Sequence, residues 1–351
     1  MKSSIIVPTA GRPSAIKATI QSLLALSLDR RETEILIIDN NSQDDFAKDL
    51  VDHCTSLGEQ VRYIREPNPG LSAARHRGIK ESLGQILMFV ENDVEVSSEW
   101  FDAIQSGFED QDVGMVGGPS IPTFTGTVPA WLWDYFTQTP YGGWMCGWLS
   151  LLDIGQDVKN INPDYIWGLN FSIRKDVITR CGGFHPDLVP PNLQRWQGDG
   201  ETGLTRMVGA AGYRVDYIQR ALVHHLCSPD RLNPQSFAKR AYYQGVADSY
   251  TSIRAGKHVT RDPAPGKADS LYRKIRGLAK KILRRSQDRN SCWAKDSAAI
   301  RAVTDNAYLE GWRFHQSEVA SDPKLMAWVR REDYWDADIR NEMIGYSSAT
   351  R

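Results

Sequence analysis

Short apolar runs rich in β-branched residues alternate with amphipathic segments through the first third of the chain, and this alternation constrains the fold more than any other feature. Ile5-Ile6-Val7, Ile35-Leu36-Ile37-Ile38, Val61-Arg62-Tyr63-Ile64 and Ile86-Leu87-Met88-Phe89-Val90 read as strands bounded by polar or Gly/Pro clusters. Between them, 13–26, 44–54 and 71–83 have helical spacing, and Pro13 suits a first helical turn because its missing N–H costs nothing there. Repeated strand–helix alternation implies βαβ crossovers, a mainly parallel sheet and an α/β fold. Ligands bind such sheets beyond the carboxyl ends of the strands. The loops 8–13, 39–43, 66–71 and 91–97 are therefore the ones to inspect.

From about 113 to 230 the pattern is less regular. A strand is expected over 167–173, a helix over 204–211 and two short strands over 214–218 and 221–225. Beyond Asn233 the spacing is helical, over 235–255, 268–286, 296–318 and 323–331, with a Pro/Gly joint at 262–266. The 351 residues exceed one small domain. The division read from the pattern is 1–118 and 119–232 as two parts of one α/β domain, followed by a helical region over 233–351.

Composition excludes several classes. With 41% apolar and 24% charged residues, the chain is not a disordered one. A net charge of -1 gives no global basic field for nucleic acid. Five scattered cysteines without a C-x-x-C pair suggest neither a disulfide framework nor a thiolate zinc site, and fit a reducing cytosol. No apolar run has the length to span a bilayer, and no secretory h-region is seen, so a cytoplasmic protein is expected. Gly198-Asp199-Gly200-Glu201-Thr202-Gly203 matches G-x-G-x-x-G in form only. Pro190-Pro191 stands where a buried strand should, and two acids would repel a pyrophosphate. P-loop and zinc-hydrolase motifs are absent.

Glu91-Asn92-Asp93 ends an apolar strand with two acids around an amide. At the carboxyl edge of a parallel sheet such oxygens suit Mg²⁺ or Mn²⁺ bound with substrate phosphates, although a turn cluster opening a helix near Ser97 explains them equally. Asp39-Asn40-Asn41 is open to an Asx-turn reading in the same way.

Taken in order, Ser4-Ile5-Ile6-Val7-Pro8-Thr9 with Arg12-Pro13, Glu34 to Asp39 with Ser42 and Asp44, Asn68 and Gly70 with Ala74, Arg75 and Gly78, and Glu91-Asn92-Asp93 resemble the nucleotide-diphospho-sugar transferases of glycosyltransferase family 2, with the GT-A fold. The resemblance continues through Gly168, Asn170 and Arg174, Gly182-Gly183-Phe184, the acidic loop, and Val223, His225 and Pro229. It implies an inverting transferase that moves a sugar from a nucleotide donor, UDP- or dTDP-linked, to a glycan, lipid-linked or other hydroxyl acceptor, with Mn²⁺ or Mg²⁺. Pro8, Thr9, Arg12, Asp39 and Asn41 match the loops that contact the nucleoside, and Arg75 an arginine that reaches the base. Glu91, Asn92 and Asn170 fall in the donor site, and Asp93 and His225 match metal-binding positions. Glu91 and Asn92 depart from the family's preferred Asp.

Inverting transfer needs a base for the acceptor hydroxyl. The resemblance places Glu201 on the catalytic acid's position, with Asp199 two residues earlier as a substitute. His224 should point away from His225, on the opposite face of its strand. Trp131, Trp133, Trp144 and Trp167 are candidate acceptor contacts, because flat rings stack on sugars; a second core is the competing reading of this run. The basic amphipathic stretch 272–290 suits either an anionic membrane surface or a packed helix with a solvated face. Two rival functions remain, a nucleotidyltransferase and a nucleotide-sugar or glycan-binding relative without turnover.

Overall fold

The computed structural model describes residues 2–257 apart from 12, 41, 59 and 60, residue 259, and residues 292–337 with 339. Arg12, Asn41, the joint at 262–266 and the basic stretch 272–290 lie outside the described residues.

The four apolar runs become β1 (Ser3–Thr9), β2 (Thr33–Asn40), β3 (Val61–Glu66) and β4 (Ile86–Val90). Helices α1 (Pro13–Leu24), α2 (Asp44–Ser56) and α3 (Leu71–Glu81) connect them. β1 pairs in parallel with β2 and β4, and β2 with β3, as βαβ crossovers require. Alternate strand residues feed two cores. Ile5, Val7, Ile35, Ile37, Met88 and Val90 pack with Ile16, Ile20 and Leu50 on one face. Ile6, Leu36, Ile38, Leu87 and Phe89 pack with Ala74 and Ile79 on the other.

The chain then adds β5 (Val94–Val96), α4 (Trp100–Gly107), β6 (Val113–Gly117) and β7 (Ser120–Phe124). Short strands β8 (Thr137–Gln138), β9 (Trp144–Cys146) and β10 (Leu151–Asp153) precede β11 (Asn170–Arg174), α5 (Lys175–Arg180), α6 (Glu201–Ala210), β12 (Arg214–Tyr217) and β13 (Val223–Cys227). The main sheet has the order β12-β6-β11-β4-β1-β2-β3, and a second sheet the order β5-β13-β7-β10-β9-β8. The helix expected near Ser97 starts at Trp100, because 94–96 pair with β13. The strand expected from Trp167 starts at Asn170, because the Asn170 N–H closes a turn onto the Trp167 carbonyl.

Among the described residues the helical region comprises α7 (Pro234–Arg254), α8 (Cys292–Ser321) and α9 (Pro323–Val329). Asn233 caps α7 by accepting from the Ser236 N–H, with Pro234 in the first turn. Gly245 lets α7 and α8 touch backbone to backbone: a Cβ there would stand 2.0 Å from the Tyr308 carbonyl oxygen. Leu325, Trp328 and Val329 of α9 cover Tyr250 and Ile253 of α7 together with Leu193 and Trp196. The helical region therefore packs on the loop that leads into α6. No helix among the described residues is long and apolar enough to cross a membrane.

Most of the aromatic run is core. Leu132, Tyr135, Cys146, Leu149 and Phe237 are buried together, with Trp131, Trp144 and Trp148 packed against them. Trp131 meets the Phe237 ring edge-on at 4.9 Å. Core packing competes with the acceptor role expected for Trp131 and Trp144: Trp131 packs on Phe237 of α7 and Trp144 on Phe136, and both rings stay partly exposed. Trp133, 55% exposed, keeps a free face. Trp167 is half-buried, and its indole N–H donates to the Asp164 carbonyl.

Candidate active site

Parallel pairing puts the ends of β1, β2 and β4 at one edge of the main sheet. β11 runs antiparallel to β4, with Asn170 opposite Val90, so the start of β11 lies at that same edge. β13 pairs with β5 so that His225 faces Val94, and the Leu226 N–H donates to the Asp93 carbonyl. This pairing brings together residues more than a hundred positions apart in sequence.

Ligand atoms of Glu91, Asp93 and His225 all lie within 4.8 Å of one another. Asp93 and His225 are buried, at 5% and 0% exposure, whereas Glu91 is partly open. His224 alternates to a half-buried position on the strand, as expected. Asn92 donates from Nδ2 to Thr9 Oγ1 at 2.7 Å, which joins the end of β1 to the turn after β4. Pro8, Thr9, Asn40, Ala74, Glu91, Asn92 and Leu188 line a cleft of about 180 Å³. Asp39 is fully buried beside it, its oxygens accepting from Tyr63 Oη at 2.7 Å and from the Ser42 N–H at 3.3 Å.

Three sequence assignments change in position or duty. Arg75, expected at the nucleobase, is 1% exposed. Its guanidinium donates to the Gly168 carbonyl at 2.9 Å and to Glu201 Oε2 at 3.2 Å, and lies 3.8 Å from Glu91 Oε1. It also lies over the Phe184 ring at 4.9 Å. Arg75 is thus committed to the carboxylates of Glu201 and Glu91. Asn170, expected at the donor, is buried and fully engaged: Nδ2 donates to the Pro119 and Ala221 carbonyls, and Oδ1 accepts from the Trp100 indole. It ties the two sheets together. Asp199, the substitute base, has a buried side chain. Its Oδ1 lies 2.5 Å from His185 Nδ1, and its Oδ2 accepts from Thr251 Oγ1 of α7 at 2.6 Å. Both oxygens are engaged, and the second ties the loop to α7 of the helical region.

Glu201 opens α6. Its Oε1 accepts from the Gly168 N–H at 3.1 Å while Oε2 faces Arg75, so the carboxylate is fixed at both oxygens. The approach requires glycine at 168, where a Cβ would stand 2.6 Å from both Arg75 Nη2 and Glu201 Cδ. The side chain is 26% exposed.

Asp187, Arg231 and Arg240 escaped the sequence reading. The Asp187 carbonyl accepts from the Leu71 N–H at the start of α3, which docks its loop on the site. Burial, and then the Glu201 carboxylate, push the Asp187 carboxyl up to about 7, against the pull of Arg75. Arg231 and Arg240 belong to the segment after β13. No local pattern distinguishes them from surface arginines.

The sequence pattern of glycosyl transferase family 2 matches residues 4–181, half of the chain. The chain belongs to that family and is a glycosyltransferase by class. Glycosyltransferase AglE of Haloferax volcanii is 24% identical over 227 residues, covering 64% of this chain and 67% of AglE. The O-antigen biosynthesis protein RfbC of Myxococcus xanthus is 27% identical over 273 residues, covering 72% of this chain but 19% of RfbC. The uncharacterized glycosyltransferase EpsJ of Bacillus subtilis matches over 32% of each chain. The chain thus spans two thirds of AglE and a third or less of the other two. Among solved structures, the mannosyltransferase PcManGT of Pyrobaculum calidifontis, in complex with GDP-Man and Mn²⁺, aligns with a TM-score of 0.53 at 14% identity, over 96% of this chain and 88% of its own. GalNAc-T7 with UDP, GalNAc and Mn²⁺ aligns at 0.50 and 16% identity, over 81% and 57%. These likenesses establish the GT-A architecture.

Proposed function

We propose that the protein transfers a sugar from a nucleoside diphospho-sugar to an acceptor hydroxyl in one displacement with inversion at the anomeric carbon. The observation that carries this reading is Glu201, a carboxylate fixed at both oxygens, linked through Arg75 to the Glu91, Asp93 and His225 cluster at one sheet edge. Two carboxylates and an imidazole nitrogen within 4.8 Å of one another fit a divalent cation. Glu91, Asp93 and His225 would hold Mn²⁺ or Mg²⁺, which when bound neutralises charge developing on the leaving diphosphate. Glu201 accepts the proton of the acceptor hydroxyl as its oxygen attacks the anomeric carbon. Arg75 and the Gly168 N–H hold the carboxylate in position for that transfer.

The donor nucleoside enters by the cleft of Pro8, Thr9, Asn40 and Asn92, and uridine or thymidine diphosphates are the first to try beside the Asp39 wall. The acceptor, a glycan or lipid-linked hydroxyl in bacterial glycan or glycoconjugate synthesis, approaches from the side of Trp133, at the inner face of a membrane or in the cytoplasm. A panel of nucleotide-sugars, assayed for thermal stabilisation and nucleoside diphosphate release with Mn²⁺ and with EDTA, tests the reading. Stabilisation and release by one donor, with opposite anomeric configuration in the product, is the expected result. A panel in which no nucleotide-sugar binds overturns it.

A further inference from the structure

Arg231 ends the short 3₁₀ turn Pro229–Arg231 that follows β13. Its Nη1 stands 2.8 Å from Asp93 Oδ2 and 2.8 Å from His225 Nε2. A guanidinium only donates, so Nε2 is the acceptor and the ring proton sits on Nδ1. An imidazole nitrogen has one lone pair, and a metal ligand uses that same pair. The Arg231 contact at Nε2 and a cation ligated by Nε2 therefore exclude each other. Like-charge repulsion at Asp93 acts in the same sense.

A second guanidinium stands near the first. Arg240, half-buried on α7, donates to Ser150 Oγ at 3.0 Å, and among the described residues no carboxylate pairs with it. Burial and the neighbouring Arg231 charge hold its pKa below the ordinary guanidinium value, while the Glu91, Asp187 and Glu201 carboxylates act the other way. A partly desolvated cation next to another cation is costly without an anion. Two guanidinium forks match the oxygens of a phosphate or diphosphate group.

We propose that Arg231 is an exchangeable counter-ion of the metal ligands, which leaves Asp93 and His225 when a divalent cation binds and joins Arg240 in clamping the donor's diphosphate. The reading rests on the proposed transferase function and adds to it a coupling between two binding events. Arg231 is tethered six residues from His225, so the anion within its reach is the one beside the cation rather than one at the far end of an acceptor. Cation binding frees the fork that the diphosphate needs, and diphosphate binding holds that fork off the cation's ligands. Each ligand then raises the affinity for the other by the same factor. Arg240 also gives the helical region a direct part in the donor site.

The test titrates Mn²⁺, followed by its electron paramagnetic resonance signal, and inorganic pyrophosphate by calorimetry. Each is measured alone and with the other, with the association of the two in buffer subtracted. Wild-type protein should show coupling of about tenfold or more. Arg231→Met should bind Mn²⁺ alone several-fold more tightly and lose most of the coupling. Arg240→Gln should leave Mn²⁺ binding alone unchanged and weaken pyrophosphate binding in the presence of Mn²⁺ by about tenfold, the scale of one charge-assisted contact, with Arg240→Lys recovering part of it. Circular dichroism checks the fold. Should Arg231→Met not fold, Arg231→Lys keeps the charge and should preserve competition with Mn²⁺ while weakening pyrophosphate binding. Equal Mn²⁺ affinity in wild type and Arg231→Met, or wild type without coupling, overturns the proposal. So does an Arg240→Gln variant whose only defect is a raised acceptor KM. A wild type that binds no nucleoside diphosphate with Mn²⁺ sinks the transferase reading itself. Normal binding in wild type and in both variants sinks the clamp alone.

Discussion

Arg75 Nη1 lies 3.2 Å from Glu201 Oε2, although 126 positions separate the two residues in the chain. The pair joins the first turns of α3 to the start of α6. The arginine is nearly inaccessible, and it also serves Glu91 and Asp187. Removing it would leave three carboxylates facing one another without their shared cation. Arg75→Met, which keeps the apolar stem over Phe184, should lower the unfolding free energy by about 3–5 kcal/mol, the usual cost of breaking a buried pair. Denaturant unfolding measures this, and a loss under about 1 kcal/mol would show that the carboxylates relax by taking up protons instead.

Glu201 and Asp199 should separate cleanly by what each loses. Glu201→Gln keeps the size and the Gly168 contact but cannot accept a proton. Donor affinity should stay near wild type while transfer falls by about two to four orders of magnitude. Asp199→Asn removes a charge held between His185 and Thr251, so its damage should appear first as a lower melting temperature. Chemistry-selective loss in Asp199→Asn with normal stability would reverse the two assignments.

The parts of this molecule that were legible in the sequence are those set by local pattern. The β-branched runs and the helical spacing between them placed β1 to β4 and α1 to α3, because a strand buried on both faces and an amphipathic helix each leave a periodic trace. The sequence also put Glu91 and Asp93 at the sheet edge, whereas His225 was named only through the family resemblance and is brought there by the pairing of β13 with β5. It could not show that Arg75 is buried, since a buried ion pair and a solvated arginine look alike in one dimension. Asp187, Arg231 and Arg240 act through partners brought in by β13, by α7 and by the loop docked on α3. The aromatic run was ambiguous for a related reason: Trp131 and Trp148 find a shared partner, Phe237, about ninety to a hundred residues later.

Two histidines make the fold acid-sensitive in a definite window. Burial, and then the charges of His185 and Arg75, depress His76 to about 3, and burial depresses His315 to about 4. Unfolded, both titrate near the ordinary histidine value of 6.5. Between these values the unfolded chain takes up protons that the folded chain refuses, so their stabilisation is complete above pH 6.5 and falls as pH drops towards 4 and 3. Asp187 works in the opposite direction. Its carboxyl, raised from 3.8 to about 7, holds a proton in the folded state that the unfolded state has released, and its contribution falls as pH rises through that window. Melting temperatures at several pH values between 4.5 and 7 should therefore fall less steeply towards acid in His315→Gln, and more steeply in Asp187→Asn, than in wild type. Parallel curves for all three would remove these groups from the pH response.

Gly245→Ala tests whether the helical region positions the site or merely covers it. The added Cβ would stand 2.0 Å from the Tyr308 carbonyl oxygen and 2.8 Å from the Trp312 nitrogen, so α7 and α8 must move apart. Overpacking of this kind costs about 1–3 kcal/mol, and the better helix propensity of Ala returns about 1 kcal/mol of it. A modest fall in melting temperature is expected. The informative effect is the one transmitted along α7, which carries both Thr251, bonded to Asp199, and Arg240. If α7 shifts, the loop before Glu201 and the Arg240 guanidinium shift with it. Donor affinity and transfer should then both drop, by more than the stability loss accounts for at a temperature where the variant stays folded. A variant that is less stable yet binds and turns over donor as wild type does would show that the helices cover the site without setting its geometry.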